Sequence, residues 1–196
     1  LDALPEGMGG GCPGDLRLRH PCVQLLLGRD HSPLGDVRDG PERLDLRDGK
    51  AHEFAICGKT LVADQRGALY WPAERALIVA DLHFEKASAA AERGRLLPPY
   101  DTRESLTRLA EAMDAYEPET VIALGDSLHD KRAPARISES DLSILHMLQE
   151  DRKWIWITGN HDPEISPGLG GEVYSELVLE GITLRHEPSP GRVSHE

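Results

Sequence analysis

Apolar and polar positions change character along the chain near Ala51. Residues 1–50 show neither a helical nor a strand period, whereas the remainder alternates short apolar runs with turn residues. Residues 61–63 and 68–71 flank Gln65-Arg66-Gly67 and predict a hairpin. Residues 76–80 form a continuous apolar run, the mark of a strand buried on both faces, and stop at Asp81. Residues 121–124 repeat the pattern and stop at Gly125-Asp126; residues 154–158 repeat it again and stop at Gly159-Asn160-His161. Between them, Asp101 with Glu104 three positions on resembles a capping box, and Leu106, Leu109, Ala110 and Met113 follow at helical spacing before Pro118. Leu142, Leu145 and Leu148 predict a second helix, opened near Ser138. Residues 173–179 and 182–185, joined by Glu180-Gly181, predict a closing hairpin with His186 at its end.

Strands alternating with helices predict an α/β fold, in which ligands gather beyond the carboxyl ends of the strands. The polar clusters fall at those ends. Residues 1–50 are rich in Gly and Pro and hold too little apolar surface to offset the entropy of ordering, which predicts a disordered extension before a domain over 51–196. Trp71, Trp154 and Trp156 lie inside predicted strands and are expected in the core.

A net charge of −12 argues against a protein that holds nucleic acid by blanket attraction, although bound metal ions are local positive charges that this count omits. Cys12, Cys22 and Cys57 are odd in number and lack zinc-site or redox spacing, as expected in a reducing cytoplasm. The early apolar run at 23–27 is too short for an export signal or a membrane span, so no membrane partner is expected.

An isolated Asp81-x-His83 is commonly a turn or a surface pair, and Gly125-Asp126 alone is an ordinary turn. Three successive buried strands ending in metal-ligand residue types, with His186 closing a further strand-like run, make coincidence the poorer account. Mixed oxygen and nitrogen donors suit Mn, Fe or Zn better than Ca or a thiolate-held zinc. Asp126 is the natural bridge between two ions.

The ordered set Asp81-x-His83, Gly125-Asp126, Gly159-Asn160-His161-Asp162 and His186 resembles the motifs of the calcineurin-like metallophosphoesterases. Residues 77–86, 96–101 and 185–188 further resemble the bacterial ligase-associated DNA-damage-response endonucleases. The resemblance covers roughly residues 52–196. It implies a sandwich of β-sheets flanked by helices, two divalent ions, with manganese first and iron or zinc as alternatives, and hydrolysis of phosphodiesters by a hydroxide held between the ions. It further implies that Asp81 and His83 bind one metal, that Asp126 bridges, that Asn160 and His186 bind the second, and that His161 serves catalysis beside the substrate. DNA is the implied substrate, in repair, with a DNA ligase and a helicase as functional associates.

Two departures from the family pattern alter these expectations. The late Gly-His-x-His motif is absent before Glu196, and His195 lacks a second His two positions away, so a C-terminally truncated domain is expected. That motivates an alternative, a non-catalytic metal-binding or interaction module; a phosphatase or phosphodiesterase acting on small nucleotides is another. His129 stands where many relatives carry Asp, and His129, Asp130, Lys131 and Arg132 are candidates for substrate binding or for orienting His161.

Overall fold

The computed structural model describes residues 25–27, 51–95 and 97–187 of the 196-residue chain. The chain runs β1 (Leu25–Leu27), β2 (Ala51–Ile56), β3 (Lys59–Asp64), β4 (Ala68–Trp71), β5 (Ala76–Val79), α1 (Lys86–Glu92), α2 (Asp101–Tyr116), β6 (Thr120–Leu124), α3 (Glu139–Gln149), β7 (Lys153–Ile157), β8 (Glu172–Tyr174), β9 (Leu177–Leu179) and β10 (Ile182–Leu184). Strands β2 to β8 form a seven-stranded sheet in sequence order, antiparallel from β2 to β5 and parallel from β5 to β8. A three-stranded sheet has the order β1-β10-β9.

The central strands β4 to β7 of the large sheet are buried on both faces, as the apolar runs require, and the strand period of two sends alternate residues to different neighbours. Leu77 and Val79 of β5 join Val121, Ala123, Trp154 and Trp156 in a core with Leu106, Leu109 and Met113 of α2 and Leu145 of α3. Ile78 joins Ile122, Leu124, Ile155 and Ile157 in a second core closed by Ile182 and Leu184 of β10. Helices thus cover one face and the small sheet the other. Trp71, Trp154 and Trp156 are buried, as expected.

The hairpin β3–β4, the buried strands β5, β6 and β7, and the helices α2 and α3 stand where periodicity puts them, and Ser138 caps α3 by accepting from the Asp141 amide at 3.1 Å. The expected strand over 173–179 is instead two strands in different sheets: β8 pairs with β7, and only β9 forms the hairpin with β10. Glu180 and Gly181 turn that hairpin with φ of 48° and 77°, the left-handed pair that a two-residue loop demands. The capping box at Asp101 does not form either. Tyr100 precedes α2, and the Asp101 carboxylate accepts from the Ala87 amide at 3.0 Å, so it caps α1. Thr102 Oγ1 accepts from the Glu85 amide at 2.9 Å beside it. Strand β2 and helix α1 are additions that periodicity does not signal. Of the expected extension over 1–50, the described part is β1, which pairs with β10; the rest lies outside the described residues. Among the described residues no helix is long and apolar enough to cross a membrane.

Candidate metal centre

Two loops at the carboxyl ends of β5 and β6 run side by side and carry most of the candidate ligands. The Asp81 amide donates to Gly125 O (3.2 Å), His83 N to Asp126 O (3.0 Å), Phe84 N to Ser127 O (2.8 Å), and His129 N to Phe84 O (3.0 Å). Phe84 and Leu128 are buried where the loops meet. Extended backbone, which would send Asp81 and His83 to one side, is not what brings these side chains together: Asp81, His83 and Asp126 have φ of 53°, 47° and 49°. Left-handed backbone costs a non-glycine residue about 1–3 kcal/mol, and here the paired loops hold it in place.

Asp162 locks the third loop, after β7, onto the second. Its buried carboxylate accepts from the amides of Asp126 (3.0 Å), Leu128 (3.0 Å) and Gly159 (2.9 Å). The two motif glycines permit the approach. A Cβ on Gly159 would lie 2.3 Å from Asp126 Oδ1, and one on Gly125 would lie 2.4 Å from the His186 ring. Asp162→Ala is therefore expected to lower the unfolding free energy by about 3 kcal/mol or more, because each buried donor left unpaired costs about 1–3 kcal/mol. Chemical denaturation measures this, and a loss below about 1 kcal/mol would refute the clamp.

The donor atoms form two adjoining groups. One atom each from Asp81, Asp126 and His186 lie within 4.8 Å of one another, as do one each from His83, His129 and His161. The groups are linked: His83 Nε2 is 3.9 Å from Asp81 Oδ1, and His161 Nε2 is 3.9 Å from Asp126 Oδ2. Asn160 Oδ1 lies 3.1 Å from His186 Nε2, which is itself 3.3 Å from Asp126 Oδ2.

Hydrogen bonds fix two of the imidazoles. A backbone carbonyl can only accept, so His186 Nδ1, 3.1 Å from Leu124 O, carries the proton, and so does His161 Nδ1, 3.0 Å from His129 O. The other ring nitrogen of His186, Nε2, faces a carboxylate oxygen and an amide oxygen. Three electron-rich atoms facing one another call for a proton or a cation between them. His83 Nδ1 and His129 Nδ1 are buried without a hydrogen-bond partner, a further deficit that a cation among the rings relieves. This donor set fits divalent metal.

Burial pushes the Asp81 carboxyl above its ordinary range, with Asp126 adding to the effect and His186 and His83 opposing it. Burial lowers His83 and His129, keeping the imidazoles neutral and their lone pairs available. Burial raises Asp162 against the pull of its backbone donors.

Asp81, His83, Asp126, Asn160, His161 and His186 thus converge, and His129 joins them. Asp130 does not: its carboxylate accepts from Arg136 and from the Arg132 amide, both at 2.8 Å. Burial pushes that carboxyl up, but these hydrogen bonds hold it below its usual range. Lys131 and Arg132 lie beyond, on the rim. The clamp role of Asp162 is not evident from sequence, where a carboxylate beside Asn-His looks like one more ligand.

A model of the calcineurin-like phosphoesterase domain matches residues 74–192. The crystal structure of Pseudomonas putida nuclease MPE matches with a TM-score of 0.57 and 32% sequence identity, over 73% of this chain and 69% of that one. No curated protein matches.

Proposed function

The chain belongs to the calcineurin-like phosphoesterase family, and from that premise we propose that it is a metal-dependent phosphodiesterase that cleaves DNA. The observation that carries the reading is the convergence of two linked donor groups at the ends of parallel strands, with mixed carboxylate, imidazole and amide donors. The likeness to a nuclease supports nucleic acid over a phosphomonoester as substrate. Endonucleolytic action in DNA repair, alongside a DNA ligase and a helicase in the cytoplasm, is the corresponding proposal for its setting.

Asp81 and His83 would hold one divalent ion, Asn160 and His186 the other, and Asp126 both, with manganese the first candidate and iron or zinc next. When bound, such ions supply a nucleophile from water at neutral pH and offset charge on the attacking and leaving oxygens of an in-line displacement. His161 has the geometry of a proton donor. Its Nδ1–H is committed to the His129 carbonyl, which leaves Nε2, the atom that faces the centre, as the ring position from which a proton would pass to the departing ester oxygen. His129, whose carbonyl fixes that tautomer, is a positioning residue. Lys131 and Arg132 would orient substrate phosphates.

A screen of manganese, iron, zinc and magnesium against bis(p-nitrophenyl) phosphate, p-nitrophenyl phosphate and single- and double-stranded DNA tests the reading. Metal-dependent cleavage of the diester and of DNA is expected, with the monoester the poorer substrate. Turnover confined to the monoester would overturn it.

A further inference from the structure

Beside the three-histidine group, an open cleft of about 670 Å³ is lined by Glu92 and Arg93 at the end of α1 and by Asp130, Lys131 and Arg132 immediately after His129. We propose that Arg93 and Lys131, with Arg132 at the rim, form a subsite for a phosphate of a nucleic-acid strand next to the one being cleaved. The inference rests on the nucleic-acid reading above and adds a residue, Arg93, that no sequence motif points to.

Both carboxylates of the cleft already have intramolecular partners. Asp130 binds Arg136 and the Arg132 amide, and Glu92 lies 3.6 Å from Arg136 and 3.9 Å from Arg132. Arg136 is mostly buried and also donates to Ser88 Oγ at 2.8 Å, so it braces the loop against α1 rather than reaching outward. Arg93 and Lys131, by contrast, have no ion-pair partner among the described residues. The Arg132 side chain is 82% exposed and only distantly paired. Three cations line the cleft against two carboxylates, and both carboxylates are also paired with the mostly buried Arg136 behind them, so the cleft is positive in a chain of net charge −12. Arg93 is also among the charges that act on His129, which places the cleft within electrostatic reach of the centre.

Unpaired cations cost little while solvated and gain most when they meet an anion that releases condensed counterions. A phosphodiester strand is such an anion, and contacts of this kind set its position rather than read its sequence. The subsite would thus fix the strand's path from the cleaved bond toward the end of α1.

Binding of a short fluorescent single strand, followed by anisotropy over a salt series with a chelator present to prevent turnover, tests the subsite without chemistry. Arg93→Gln and Lys131→Gln should each weaken binding by roughly tenfold at low salt and lower the slope of log affinity against log salt by about 0.7. Lys59→Gln removes the same charge from a pair with Glu180 far along the chain and should change neither. Equal effects from all three variants, no effect from Arg93→Gln and Lys131→Gln, or no binding by the unmodified protein would overturn the proposal. Hydrolysis of bis(p-nitrophenyl) phosphate, which has no neighbouring phosphate to engage the cleft, is measured in parallel. Its absence would count against the phosphodiesterase reading, while the binding series judges the subsite.

Discussion

Asp126→Asn is expected to abolish paired metal binding while leaving the fold intact, and to reduce turnover by about 10³-fold, on the scale of losing a principal electrostatic group at a reacting centre. One carboxylate faces both donor groups: Oδ2 lies 3.3 Å from His186 Nε2 and 3.9 Å from His161 Nε2, while Oδ1 accepts from the His161 amide at 2.9 Å. An asparagine oxygen can keep the bond to that amide. Its NH2 group then faces His186 Nε2 in place of a carboxylate oxygen and the repulsion from Asp81 is gone, so the metal-free variant is expected to be at least as stable as the parent. Metal stoichiometry by native mass spectrometry, with thermal melting in chelator, separates the two effects. Two ions bound at parental affinity would sink the bridging role, and a collapsed melting temperature would show that the carboxylate serves the fold.

His161→Ala should do the opposite to metal content and nearly the same to rate. The ring is partly exposed, and among the described residues its one hydrogen-bond partner is the His129 carbonyl, so removal disturbs little of the loop. Metal should be retained. Turnover should fall by about 10²–10⁴-fold, the usual contribution of a positioned proton donor. The deficit should shrink for nitrophenyl esters, whose leaving oxygen needs little protonation, and be largest for alkyl esters and DNA. Equal deficits across leaving groups, or loss of metal, would return His161 to the ligand set.

Much of this arrangement is legible in the chain itself, for a physical reason. Strands buried on both faces must be apolar throughout, so residues 76–79, 121–124 and 154–157 announce themselves, and the first polar residue after each falls at the sheet's ligand-binding edge. Periodicity says less about short or exposed elements. Strand β8 is exposed along its length and differs little from the loop before it, so its separation from β9 leaves no trace in the alternation of residues 173–179. Asp101 looks like the cap of its own helix, because local spacing cannot report that a neighbouring helix begins within reach of the same carboxylate. Likewise the site's residue types are visible, but its grouping is not. His83 shares a cluster with His129 and His161 only because two loops zip together through unusual backbone angles.

Those angles have a consequence for anyone who would evolve or redesign this domain. At Asp81, His83 and Asp126 the main chain adopts a conformation in which glycine or asparagine would sit more comfortably than the residues present. Directed evolution judged by heat resistance alone would therefore find gains at these three positions and would discard the side chains the centre is built from. Durability and activity pull in opposite directions here, at the level of individual main-chain torsions, so libraries aimed at a hardier protein should hold these codons fixed and seek improvement elsewhere.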